Sequence, residues 1–290
     1  MDFQDGILQG VAFRRAKWSG GPIVPEIVIL HDTASRLTPG AAARDLADND
    51  RKVSAHFVIE RSGALTQLVP IHQAAYHAGQ SSYHGREKCN EYSIGVEIVN
   101  PGRMTRFSVC EAQAWYGERF DIDELGIQEV TTPEHGHGLW MPYTESQLNT
   151  LLDLLPALFR AMPSLKDITA HWYVSPGRKT DTNPLFPLEQ VRSHVFGRED
   201  PVDKAVKIAS QPAHADDLVM IHAPEDSLNL RRWPSFNPNV IGQIPDGAVV
   251  PVLREGVFDG RHWLRVLYGG REGWIVARYA DPLTEQENLS

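Results

Sequence analysis

The strongest constraint on this chain is a pair of short apolar runs that each stop at a histidine: residues 26–30 (EIVIL) before His31, and residues 167–170 (DITA) before His171. A continuous run rich in β-branched residues suits a strand buried on both faces. Residues 93–100 (SIGVEIVN) predict a further strand, with Ile94, Val96 and Ile98 on one face and Ser93, Gly95 and Glu97 on the other. Residues 56–60 (HFVIE), a turn at Ser62-Gly63 and residues 65–69 predict a β-hairpin. Thr38 and Pro39 supply a cap and a first-turn proline for a helix over 40–50. Thr144 with Gln147 forms a capping-box pattern before Leu148, Leu151, Leu152 and Leu155, which predicts a helix ending near Pro163. This alternation predicts an α/β fold, a mixed central sheet flanked by helices.

At 290 residues there is room for one large domain and a small one. Residues 101–140 keep no steady period and contain PEHGHG, so an insertion or long loop is expected there within a domain spanning 1–195. Residues 196–217 read as a linker. Short β-type runs separated by turns then predict a small all-β barrel over 218–283, followed by a tail at 284–290.

A formal net charge of -9 argues against general affinity for nucleic acid or anionic lipid, both of which need a positive surface. No stretch approaches transmembrane length, so no membrane insertion is expected. Cys89 and Cys110 are too few for a disulfide framework and read as unpaired thiols. The opening MDFQDGILQG has acids where a signal peptide needs a basic region, and no apolar run behind them. The expectation is cytoplasmic synthesis without a signal peptide, with any site outside the cytoplasm reached only by release or non-classical export, the alternative being that the protein remains cytoplasmic.

His31, His171 and Asp181 are two imidazoles and a carboxylate, the donor types of an open catalytic zinc site. Asp181 lies on the turn-rich segment 175–184 (SPGRKTDTNP), which can fold back over the sheet end. The motifs HDTAS (31–35), SAHFVIERSG (54–63), AYHAG (75–79), NEYSIGVEI (90–98) and HWYVSPGRKTDTNP (171–184) occur in one order. In that order and content the chain resembles the type-2 N-acetylmuramoyl-L-alanine amidases, the peptidoglycan-recognition-protein-like zinc amidases, over about residues 20–195. The resemblance implies Zn2+ held by His31, His171 and Asp181, with Lys179 catalytic and Glu97 as general base. It implies hydrolysis of the amide joining the lactyl group of N-acetylmuramic acid to L-alanine, with peptidoglycan or muropeptides as partners. In such a mechanism zinc acidifies a water, Glu97 takes its proton, and the metal with Lys179 steadies the oxyanion. Some relatives carry a tyrosine where this chain has Ala55, which favours the glutamate version.

By the same resemblance Tyr76 and His77 line the substrate groove, and Arg86 and Lys88 face the substrate's carboxylates. His56 reads as a structural strand residue, and His135 and His137 as adventitious metal binders. Residues 228–253 and 262–279 resemble a bacterial SH3-type domain, with Trp233, Trp263, Trp274 and Tyr279 as candidates for an aromatic groove or for core. The preferred role is endolysin-like or exported wall lysis. The alternatives are a cytosolic amidase recycling anhydro-muropeptides and, in another class, a non-catalytic peptidoglycan-binding protein.

Overall fold

The computed structural model describes residues 1–196, 218–224, 226–232, 234, 240–258 and 261–283. It divides into two compact units, Met1–Val195 and Phe196–Ser290. Most of the expected linker, Trp233 and the 284–290 tail lie outside the described residues.

The first unit is built on a six-stranded sheet in the order Asp167–Ala170, Ile27–Asp32, Ser93–Ile98, Phe57–Ile59, Leu65–Gln67, Ala12–Phe13. The first four strands run parallel, and the Phe57–Ile59 and Leu65–Gln67 strands form the expected antiparallel hairpin. Burial on both faces explains the unbroken apolar run, since Val28, Ile29 and Leu30 are all fully enclosed. Register matters most for function. Ala170 lies opposite Leu30 and His31 opposite Glu97, so His171, His31 and Glu97 arrive at one level at the carboxyl ends of three neighbouring parallel strands.

The Glu145–Ala161 helix begins with the capping box its sequence predicts: Gln147 N donates to Thr144 Oγ1 (3.1 Å), and Thr144 N donates to Gln147 Oε1 (3.0 Å). Leu148, Leu151, Leu152, Leu155 and Leu158 are buried, each stabilising the packing by about 1.5–3 kcal/mol. Gln147 Nε2 also donates to Val99 O (2.8 Å), which ties the helix start to the sheet. The earlier helix, Ala41–Ala47, departs from expectation. Its cap is Gly40 at φ 73° with no side-chain cap, and Thr38 only receives the Ala41 N–H on its carbonyl. Gly40 N instead donates to Glu60 Oε1 at 3.1 Å, so a tertiary contact replaces the local cap.

The expected loop over 101–140 is folded. It forms a five-stranded antiparallel sheet in the order Arg119–Asp121, Glu111–Ala114, Met104–Arg106, Gly136–Trp140, Gln128–Thr132. Met104, Ala112, Ala114, Phe120, Ile127, Leu139 and Met141 make its small core.

The second unit is a seven-stranded antiparallel arrangement, from Leu218–Ile221 to Ala280–Pro282, around a core that includes Leu230, Ile244, Val250, Val266 and Ile275. Trp263 and Trp274 are 1% and 8% exposed and pack with Val276, with Tyr279 partly buried against them. Both tryptophans are therefore packed rather than open, in a small cluster of their own on the face of the strands opposite Leu264, Val266 and Ile275.

Candidate active site

His31 and His171 point Nδ1 at Nδ1 across 2.9 Å. Asp181 Oδ2 lies 2.9 Å from His171 Nδ1 and 3.3 Å from His31 Nδ1. Three lone-pair donors gathered this closely repel one another unless a proton or cation sits among them. Ligands about 2.0–2.1 Å from a tetrahedral zinc stand roughly 3.3 Å apart, close to the observed spacings. The donor chemistry and geometry thus fit a divalent metal.

The second nitrogen of each ring fixes its tautomer. His171 Nε2 donates to Ala78 O (3.2 Å). His31 Nε2 donates to His77 Nδ1 (3.0 Å), His77 Nε2 reaches Ser93 Oγ (3.3 Å), and Ser93 Oγ donates to Cys89 O (2.6 Å). Each link leaves a lone pair on the Nδ1 that faces the centre. Burial lowers His31 to about 4, so its ring is neutral at physiological pH and free to ligate. Burial opposes ionisation of Asp181, but its close approach to the His171 and His31 rings holds its carboxyl below the usual range.

Gly95 makes the His77 link possible. A Cβ there would lie 2.4 Å from the His77 ring. Replacing His77 by alanine is expected to weaken metal binding by roughly 10- to 100-fold through the loosened His31 ring. Chelator competition measures this, and unchanged affinity would remove His77 from the support of the centre.

Asp181 is carried by a segment braced from several sides. Trp172 N donates to Asp181 O (2.6 Å), so the chain does fold back over the sheet end. Asn183 N donates to Asp32 Oδ2 (2.9 Å), and Tyr143 Oη donates to the other Asp32 oxygen. Burial raises Asp32 to about 8. His135 Nε2 donates to Thr182 O (2.9 Å) while its Nδ1 accepts from Thr132 Oγ1 (2.7 Å). His135 is therefore a bracket from the inserted sheet rather than an adventitious metal binder.

Glu97 stands beside His31, 9% exposed, on the face that also carries Ser93 and Gly95. Its Oε2 is buried and has no hydrogen-bond partner among the described residues. Burial, with the carboxylates of Asp181 and Asp32, raises Glu97 to about 8, and the charge of Lys179 acts in the opposite sense. The half-buried Lys179 is close enough to lower the proton affinity of both Glu97 and His31.

The remaining expected substrate contacts separate. Tyr76 is 37% exposed with its hydroxyl beside Gly20, while the next residue turns to His31. His77 lies behind His31, hydrogen-bonded to its ring. Arg86 pairs with Glu26 at 2.6 Å and covers the Tyr92 ring at 3.8 Å. Glu26 precedes the strand whose far end bears His31, about 16 Å away at the usual rise, so Arg86 is not brought to the centre. Lys88, exposed and paired with Glu91, borders a cleft with Gln80, Ser175 and Arg178 beside the His171 turn.

Arg178 escaped the sequence reading. Its Nη2 donates to Ala78 O, Gln80 O and Ser175 Oγ, each at 2.7 Å, and so holds the carbonyl that orients His171. Its place in the 175–184 motif was the available signal.

A mixed sheet with a His–His–Asp trio and a buried glutamate at the ends of parallel strands defines an α/β class with a hydrolase-type donor set. Residues 19–184 match the N-acetylmuramoyl-L-alanine amidase family, and residues 226–281 match the bacterial SH3 domain. The chain belongs to the N-acetylmuramoyl-L-alanine amidase family. It is 30% identical over 145 residues to the 1,6-anhydro-N-acetylmuramyl-L-alanine amidase AmpD of Salmonella typhimurium (strain SL1344), covering 50% of this chain and 58% of that protein. To the N-acetylmuramoyl-L-alanine amidase AmiD of Escherichia coli (strain K12) it is 25% identical over 182 residues, 59% of this chain and 54% of that one. The chain thus spans a little over half the length of these curated relatives. A crystal structure of a selenomethionine AmpD derivative is similar with a TM-score of 0.48 and 25% identity, over 67% of this chain and 99% of that chain.

Proposed function

We propose that this chain is a zinc-dependent amidase that hydrolyses the bond between the lactyl group of N-acetylmuramic acid and L-alanine in peptidoglycan. The observation that carries the reading is the Glu97 carboxylate, buried, unpartnered on one oxygen and in register with His31. His31, His171 and Asp181 would hold Zn2+, which when bound polarises a carbonyl and acidifies a water. Glu97 accepts the proton of the attacking water and returns it to the L-alanine nitrogen as the amide breaks. Lys179 supplies positive charge where the carbonyl oxygen becomes negative. The test is mass spectrometry of digested peptidoglycan for newly free N-terminal L-alanine; its absence with zinc-loaded protein would overturn the reading.

Two observations bear on the biological substrate. Similarity to proteins named as 1,6-anhydro amidases favours a soluble muropeptide and a cytosolic role. The SH3-like unit favours a polymer, since a tethered second binding site raises effective concentration on a wall and does little for a diffusing fragment. We infer the polymer, in an endolysin-like or exported lytic role. Among the described residues no helix is long and apolar enough to cross a membrane. Truncation near Asp217 is expected to preserve hydrolysis of a soluble muropeptide and to reduce co-sedimentation with sacculi. A truncated enzyme as active on walls as the full chain would remove the targeting role. A purely binding protein is the weaker reading, because the donor trio and Glu97 are all present.

A further inference from the structure

The inserted sheet carries two exposed aromatic rings, Phe107 and Trp115, and the more open of them is tied to the segment that follows the His31 strand. Trp115, at the turn between the Glu111–Ala114 and Arg119–Asp121 strands, is 76% exposed, more than any other described tryptophan, tyrosine or phenylalanine. Leaving an indole in water forgoes a large apolar burial, so its placement calls for a reason.

The ring is held firmly despite its exposure. Trp115 Nε1 donates to Ala34 O (2.8 Å), and Tyr116 Oη donates to Ser35 O (2.9 Å). Arg36 lies over the Tyr116 ring at 5.1 Å and pairs with Glu118 at 3.1 Å. These contacts lock the hairpin tip onto residues 34–36, the segment that follows the metal-ligating strand. Ala34 is three peptide units from His31, so their Cα atoms are at most about 11 Å apart.

We propose that Trp115 is a sugar-stacking platform that takes a pyranose ring of the peptidoglycan glycan next to the scissile amide. The inference rests on the amidase reading, under which the reacting carbonyl belongs to a lactyl group attached to a sugar ring. That ring must therefore lie within a few bonds of the metal centre. With its N–H already engaged by backbone, the indole offers only its flat apolar faces, which suit the C–H face of a sugar. Arg36 and Glu118, paired with each other at the same hairpin tip, carry donors and acceptors that hydroxyl groups can share. The cleft lined by Glu87, Lys88 and Arg178 borders instead the helical turn that begins at His171, and its polar lining suits the peptide arm.

The test uses the full zinc-loaded chain with Trp115→Ala and Trp115→Phe. Calorimetric titration with peptide-free GlcNAc–MurNAc oligosaccharides is paired with steady-state hydrolysis of a glycan-bearing muropeptide and of a sugar-free lactyl-peptide. Trp115→Ala is expected to raise KM for the glycan-bearing substrate by roughly 3- to 10-fold, with a matching loss of oligosaccharide affinity and unchanged kcat. The sugar-free substrate should be unaffected, and Trp115→Phe should keep most of the affinity. Equal KM in wild type and Trp115→Ala, equal losses on the sugar-free substrate, or a Phe variant as weak as the Ala variant would each overturn the platform. A wild-type chain that binds oligosaccharide through Trp115 but cleaves no amide would sink the amidase reading and leave the platform standing.

Discussion

His171→Ala is expected to release the bound zinc and reduce amide hydrolysis to background, with the sheet still folded. On the zinc reading three protein groups would hold the ion, and two remaining donors are a poor match for a tetrahedral site that must also keep an open position. The loss is amplified because His171 is doubly placed: Nδ1 faces His31 and Asp181, while Nε2 is fixed on Ala78 O. Removing the ring leaves the Asp181 carboxylate without its nearest partner. Chelation of the unmodified chain should reproduce the defect, and zinc should restore the unmodified chain but not the variant. Elemental analysis is expected to give about one zinc per chain before chelation. Full turnover by a zinc-free preparation, or a full zinc complement in His171→Ala, would refute the ligand assignment.

Much of this centre was legible in the sequence because strands impose a period. Alternation along SIGVEI places Glu97 with Ser93 and Gly95 and away from Ile94, Val96 and Ile98, and the register then sets it beside His31. Segments without a period were harder to read. AYHAG follows no regular element, so nothing in its spacing says that His77 turns inward to His31 while Tyr76 lies by Gly20. Arg86 was assigned by motif, yet its partner Glu26 sits at the opposite end of the strand from the ligand, a distance that only the fold reveals. The 101–140 sheet was missed because its strands are three to five residues long, too short to show alternation. Contacts such as His135 on Thr182 and Trp115 on Ala34 are long-range and have no sequence signature.

Glu97→Gln is expected to cut turnover by about 100-fold or more while zinc content and folding stay normal. Glutamine keeps the volume of this buried side chain, so its packing is preserved, but it cannot take a proton from water. The pH profile separates this role from a structural one. In the metal-free chain burial raises Glu97 to about 8, chiefly by disfavouring its charged form. A divalent cation beside the carboxyl favours ionisation, so loading with zinc moves that value down. A base must be ionised to act, so turnover of the loaded enzyme should rise with pH through an acid limb lying below about 8. The residual activity of Glu97→Gln should lack that limb. A variant with near-normal turnover, or one that keeps the same acid limb at reduced rate, would assign the proton transfer to another group.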